Sequence, residues 1–151
     1  MKTGICALML ISMLSAAPLC YAETENVNTS IEDVKKETRD LLKAIGSYSA
    51  DKREEATNKA KEGLSKLDKR INELEARIDK NWDKMSQTAR KETRENLRAL
   101  RMQRNQVAEW YGSMKTSSVD AWGHMKKGFS DAYRDLEDAW EKSETELRRK
   151  K

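Results

Sequence analysis

The sequence predicts an all-α protein: an extended antiparallel helical hairpin or coiled coil, with a thin three-helix bundle as the alternative. Three observations predict it. Apolar residues recur at spacings of three and four over most of the chain, as on one face of a helix. Charged residues make up 37% of the 151 positions and hydrophobic residues another 37%, so the chain buries seams rather than a deep core. The only proline is Pro18, so no later segment carries that helix breaker.

The first 22 residues have the composition of a signal peptide. Lys2 supplies the positive start, and Ile5 to Leu14 is an apolar run too short to span a bilayer. Cys20 and Ala22 are small residues at the positions that precede a cut after Ala22. An outer-membrane lipoprotein acylated at Cys20 is the competing reading, and Leu19 fits poorly before such a cysteine. The expected location is therefore exported and periplasmic. Cys6 and Cys20 both lie in this leader, which leaves the mature chain without a thiol for a disulfide, a metal or a nucleophile. Removing the leader leaves 29 basic and 26 acidic residues, a balance that names no partner.

Residues 23–29 read as a flexible polar tail, and 30–148 as a single helical coiled-coil domain. Ser30 can cap its first helix, which Ile31, Val34, Leu41 and Ile45 mark, with Thr38 at the polar slot. Gly46 stands where a helix stops. From 51 to 114 the pattern reads as one long helix, roughly 95 Å at 1.5 Å per residue. Leu64, Leu67, Ile71, Leu74 and Ile78 form its first seam. Trp82, Met85 and Ala89 follow after a stutter, then Leu97, Leu100, Val107, Tyr111 and Met114, with Arg104 at a core-facing slot. A break at 85–88, with Ser86 or Thr88 capping a new helix, would instead give an up-down-up bundle. Gly112 and the polar run 115–118 end the segment. Ser117 or Ser118 caps the last helix, which frays into a basic tail at 149–151.

That last helix holds the clearest pattern. Trp122, Phe129, Tyr133 and Trp140 are spaced so that all four fall within roughly 20° of one line on a helix. Met125 and Leu136 lie beside that line, and Asp120, Asp131, Asp135 and Asp138 lie opposite. The stripe is a candidate surface for packing on the Leu97–Met114 seam, for a partner helix or for a membrane. Gly123 and Gly128 interrupt the helix propensity and allow a bend or a close approach.

Arg90, Arg94, Arg98, Arg101 and Arg104 form a basic strip beside the seam. It is expected to be a solvated face or to pair across the hairpin with Asp131, Asp135 and Asp138, with contact to an anionic surface as the functional alternative. Nucleic acid is a poor partner for an exported chain without a binding motif. His124 is the only histidine and falls away from the aromatics, and no phosphate loop or nucleophile motif occurs. The expectation is no catalytic residue, no metal and no cofactor. Protein helices, from this chain or a second copy, are the expected partners, with peripheral membrane contact as the alternative.

LSKLDKRINELEARIDK at 64–80, the basic middle helix, and SVDAWGHMKKGFSDAYRDLEDAW at 118–140 carry a resemblance. From about Ala60 to Trp140 the chain resembles a bacterial family of stress-responsive coiled-coil proteins, as an exported member. Tyr133 stands where that family often has Trp. The resemblance implies a helical hairpin made under stress, and it carries over no catalytic or binding residue. Taken together, the readings predict a non-enzymatic exported scaffold or chaperone-like protein of envelope stress. The alternative is a lipid-surface protein resembling an exchangeable apolipoprotein.

Overall fold

The computed structural model describes residues 31–149. The signal peptide, Cys20, the tail 23–29, the Ser30 cap and residues 150–151 lie outside them. Four α-helices account for most of the described residues: α1 (Ile31–Ser47), α2 (Arg53–Asn81), α3 (Gln87–Thr116) and α4 (Trp122–Arg149). The all-α prediction holds, and the described residues contain no strand. Each helix runs antiparallel to the next. Going round the array, α1 lies on α2, α2 on α3, α3 on α4, and α4 back on α1.

The single helix predicted over 51–114 is not formed. α2 ends at Asn81, a 3-10 turn covers Trp82–Lys84, and Met85 is extended at φ −83°, ψ 142°. The break needs neither Gly nor Pro because a serine supplies the restart. Ser86 Oγ accepts a hydrogen bond from the Ala89 amide at 3.2 Å, which satisfies one of the free donors of the first turn of α3. The reversal also lets Met85 turn inward, where it is 8% exposed. The stutter therefore marks a corner, and the seam folds back on itself.

The seam residues then meet. Leu64, Leu67, Ile71, Leu74 and Ile78 of α2 are buried, as are Ala89, Leu100, Val107 and Met114 of α3, while Leu97 and Tyr111 stay partly exposed. Arg104 does not occupy the core. It sits at the margin, where Nε and Nη2 donate to the two carboxylate oxygens of Asp68 at 2.7 and 2.6 Å. A guanidinium reaches the edge of a two-helix seam, and its desolvation is avoided there.

Two glycine expectations are corrected. Gly46 is the penultimate residue of α1, which ends at Ser47, and Gly112 lies one turn inside α3, which ends at Thr116, so neither glycine is the stop itself. The ends are closed by other groups. Lys126 Nζ donates to the carbonyls of Gly46 and Tyr48 at 3.0 and 2.7 Å, a cation placed on the negative end of α1. Ser117 Oγ donates to the Met114 carbonyl at 3.0 Å at the end of α3. Ser118 then leads into α4, its Oγ accepting from the Ala121 amide at 3.2 Å.

Candidate functional site

The aromatic stripe is the closing face of the bundle. Trp122, Phe129, Tyr133, Leu136 and Trp140 are 0–6% exposed, and Met125 is packed against them while partly exposed. Burying a side chain of this size stabilises by roughly 1.5–3 kcal/mol, so the stripe is a principal source of cohesion for so thin a core. Phe129 and Tyr133 pack with their rings tilted at 46° and centroids 5.7 Å apart. Trp122 Nε1 donates to the Tyr48 carbonyl at 3.1 Å, and this bond joins the start of α4 to the end of α1. Trp140 Nε1 is buried without a partner among the described residues.

Tyr133 occupies the junction of three helices. Its hydroxyl donates weakly to the Gly63 carbonyl of α2 at 3.4 Å. Burial pushes its pKa up to about 12, with Glu37 adding to the rise. Beside it, a groove of about 290 Å³ runs between α1 and α2 over Val34, Leu41, Ala44, Gly63 and Leu67. Glu137, on the α4 margin facing α1, also has its pKa raised, mainly by burial and in opposition to Lys35.

The two glycines of α4 differ. A Cβ on Gly128 would lie 2.5 Å from Cε3 and Cη2 of Trp110, and closer still to Cζ3. The indole therefore rests on bare backbone, and α3 and α4 approach closely there. A Cβ on Gly123 would meet nothing within 4 Å. His124 is exposed as expected, yet its ring stands edge-on to Trp110 at 5.8 Å and 72°.

The basic strip is divided. Arg104 pairs with Asp68 and Arg101 with Glu75, both on α2, at 2.6–2.7 Å. The pairing expected with Asp131, Asp135 and Asp138 does not form. α3 turns its arginine row toward α2, whereas Asp131 bonds Lys127 and Arg134 on its own helix. Arg90 donates from Nε to the Trp82 carbonyl at 3.0 Å and from Nη2 to the Asp83 carbonyl at 3.3 Å. Arg90 and Arg94 both stand over the Trp82 ring, at 5.6 and 4.7 Å from its centroid. Arg98 is exposed and, like Arg94, forms no ion pair among the described residues.

One buried ion pair escaped the sequence reading. Glu144 is 1% exposed, yet it accepts both Nη groups of Arg77 at 3.0 and 2.6 Å, with Arg148 Nε at 3.6 Å. Its position is legible afterwards, since 136, 140 and 144 continue the stripe at intervals of four. Ser143 is buried beside it and donates to the Ala139 carbonyl at 2.9 Å.

No helix of the described residues is long and apolar enough to cross a membrane. Compared with protein-family models, with curated proteins and with solved structures, the chain matches none.

Proposed function

We propose that this chain is a non-enzymatic, exported helical protein of the bacterial envelope that works through helix–helix contacts, as a scaffold or chaperone-like factor under stress. The observation that carries the reading is the unequal cover of the core. α2, α3 and α4 have 28 to 30 residues, whereas α1 has 17 and places only Val34, Thr38 and Ile45 fully inside. The groove over Leu67 and Tyr133 shows that α1 seats incompletely on α2. Val34 and Ile45 together contribute roughly 3–6 kcal/mol, so α1 is the element that leaves at least cost. Its departure bares a lengthwise apolar surface on α2 and α4, the shape that receives an amphipathic helix. The resemblance supports the link to stress, and the leader composition supports export.

A tether tests this. Leu41→Cys with Gly63→Cys places a disulfide between α1 and α2 where a Cβ on residue 63 would already touch Leu41, 2.5 Å from Cδ2. The chain from Glu23 on has no other cysteine. The reduced variant should suppress aggregation of a heat-unfolded reporter enzyme, and the oxidised variant should not. Equal suppression by both forms, or none by either, refutes the reading.

The second reading is a lipid-surface protein that opens in the manner of an exchangeable apolipoprotein, and the same detachable α1 favours it. It requires Trp122 and Trp140 to leave the core. Acrylamide quenching of tryptophan emission that rises when vesicles are added would support it, and unchanged quenching would remove it.

A further inference from the structure

The bundle has two unlike ends. Lys35 of α1 pairs with Glu141 of α4, and Arg77 of α2 with Glu144. The start of α1, the α2–α3 corner and the end of α4 therefore all lie toward the same end. The stretch 79–98 at that corner holds Lys80, Lys84, Arg90, Lys91, Arg94 and Arg98 against four carboxylates. None of these six cations forms an ion pair among the described residues, in contrast with Arg101 and Arg104 higher on the same row.

Trp82 sets this corner apart from an ordinary solvated face. Its indole is only half-buried at the helix reversal, and two guanidinium groups lie over its ring. Arg90 is held by the Trp82 and Asp83 carbonyls, whereas stacking holds the Arg94 plane in place while leaving its N–H edge available to phosphate oxygens, which a planar fork binds in pairs. An indole between apolar core and water, with two cations over its ring, suits the headgroup layer of a bilayer.

We propose that the exposed row of α3 beside the α2–α3 corner, Lys91, Arg94 and Arg98, with Trp82 at its foot, docks the closed bundle against an anionic lipid surface. The contact is made to headgroup phosphates by charge, and the aromatic stripe of α4 stays inside. This goes beyond helix exchange at α1, since it uses a different face and needs no helix to move. Each basic residue at an anionic surface is worth about 1 kcal/mol, or roughly a fivefold change in partitioning.

The test uses the chain from Glu23 on, which keeps every described residue. Flotation is measured with vesicles of 30% phosphatidylglycerol in phosphatidylcholine, with pure phosphatidylcholine vesicles, and with free phosphate as competitor, at low and at high salt. The variant Lys91→Gln/Arg94→Gln/Arg98→Gln should bind about a hundredfold more weakly, while the charge-matched control Lys61→Gln/Lys69→Gln/Lys115→Gln, away from the corner, should bind like the parent chain. Circular dichroism should confirm that both variants keep the parental helicity. Acrylamide quenching of the parent's tryptophans should not rise on binding. Failure to float at low salt overturns the proposal. So does equal loss in both variants, which would mean attraction by net charge alone. Rising quenching on binding overturns it too, because the bundle would then have opened.

Discussion

Gly128→Ala and Gly123→Ala sit five residues apart on α4, and the structure gives them opposite signs. Alanine is more favourable than glycine within a helix by about 1 kcal/mol. At Gly123 the new methyl meets open space, so that gain is kept and the variant is stabilised by about 0.5–1 kcal/mol. At Gly128 the methyl falls 2.5 Å from two carbons of the Trp110 ring, about 1 Å inside ordinary contact. A rigid ring gives way only by moving whole, or by pushing α3 from α4. Overpacking of that kind costs about 3 kcal/mol at the upper end of the usual range, leaving a net loss of about 2 kcal/mol. For a domain of this size 1 kcal/mol shifts the melting temperature by about 4 °C. Thermal denaturation followed at 222 nm should therefore show Gly128→Ala melting about 8 °C below the parent and Gly123→Ala about 3 °C above it. Placing Gly128→Ala in a Trp110→Leu background should abolish its penalty, which makes the coupling measurable as a double-mutant cycle. A Gly128→Ala variant at least as stable as the parent, or a penalty that survives the loss of Trp110, would refute the close approach of α3 and α4.

Four other outcomes follow from the same geometry. Ser86→Ala should lose about 1 kcal/mol in urea denaturation because the first turn of α3 loses its cap; an uninterrupted helix would register no loss. Arg77→Met should cost about 3 kcal/mol by stranding the buried Glu144 carboxylate, whereas Arg77→Met with Glu144→Leu should return to near parental stability, as read by the same titration. Tyr133 favours its neutral form in the folded chain, so protons bound in the folded state exceed those in the unfolded state between pH 10 and about pH 12. Stability should fall over that interval by roughly 2–3 kcal/mol, and Tyr133→Phe should remove this component of the decline. Deleting residues 118–151 strips the cover from the α3 seam; sedimentation should then show unfolding or self-association, and an unchanged monomer with full helicity would contradict the role given to α4.

The stripe and the first seam were legible because periodicity alone determines which face is buried. Trp122, Phe129, Tyr133, Leu136 and Trp140 went inside, as did the five positions from Leu64 to Ile78. Thr38 was read as a polar residue in an apolar row, and it is 3% exposed. The corner at 82–86 was legible only as an alternative, because a serine cap occurs equally well on a continuous helix surface. Whether the chain turns there depends on what Met85 gains inside. Arg94 and Arg98 are exposed, in keeping with a solvated face, but the partners of the paired arginines were misassigned for a related reason. Charge on two helices shows that they can attract, but only the rotation of α3 about its axis decides that Arg101 and Arg104 face Glu75 and Asp68. Glu144 and Arg77 lie 67 positions apart, and no local pattern links them. Gly128 shows the same limit, since glycine in a helix means a close approach only when a ring from elsewhere fills the space.

The route of the chain gives the bundle a direction of mechanical weakness. α1 begins and α4 finishes toward the same end, and the two helices lie side by side through Lys35 and Glu141. A load applied between the two termini would open them like a zipper, breaking one turn of contacts at a time. A load between the α2–α3 corner and the α3–α4 turn would instead shear whole seams at once. In a force-extension experiment the first geometry should yield at much lower force. A tug on its termini would thus part α1 from α4 first, while α2 and α3 remained paired.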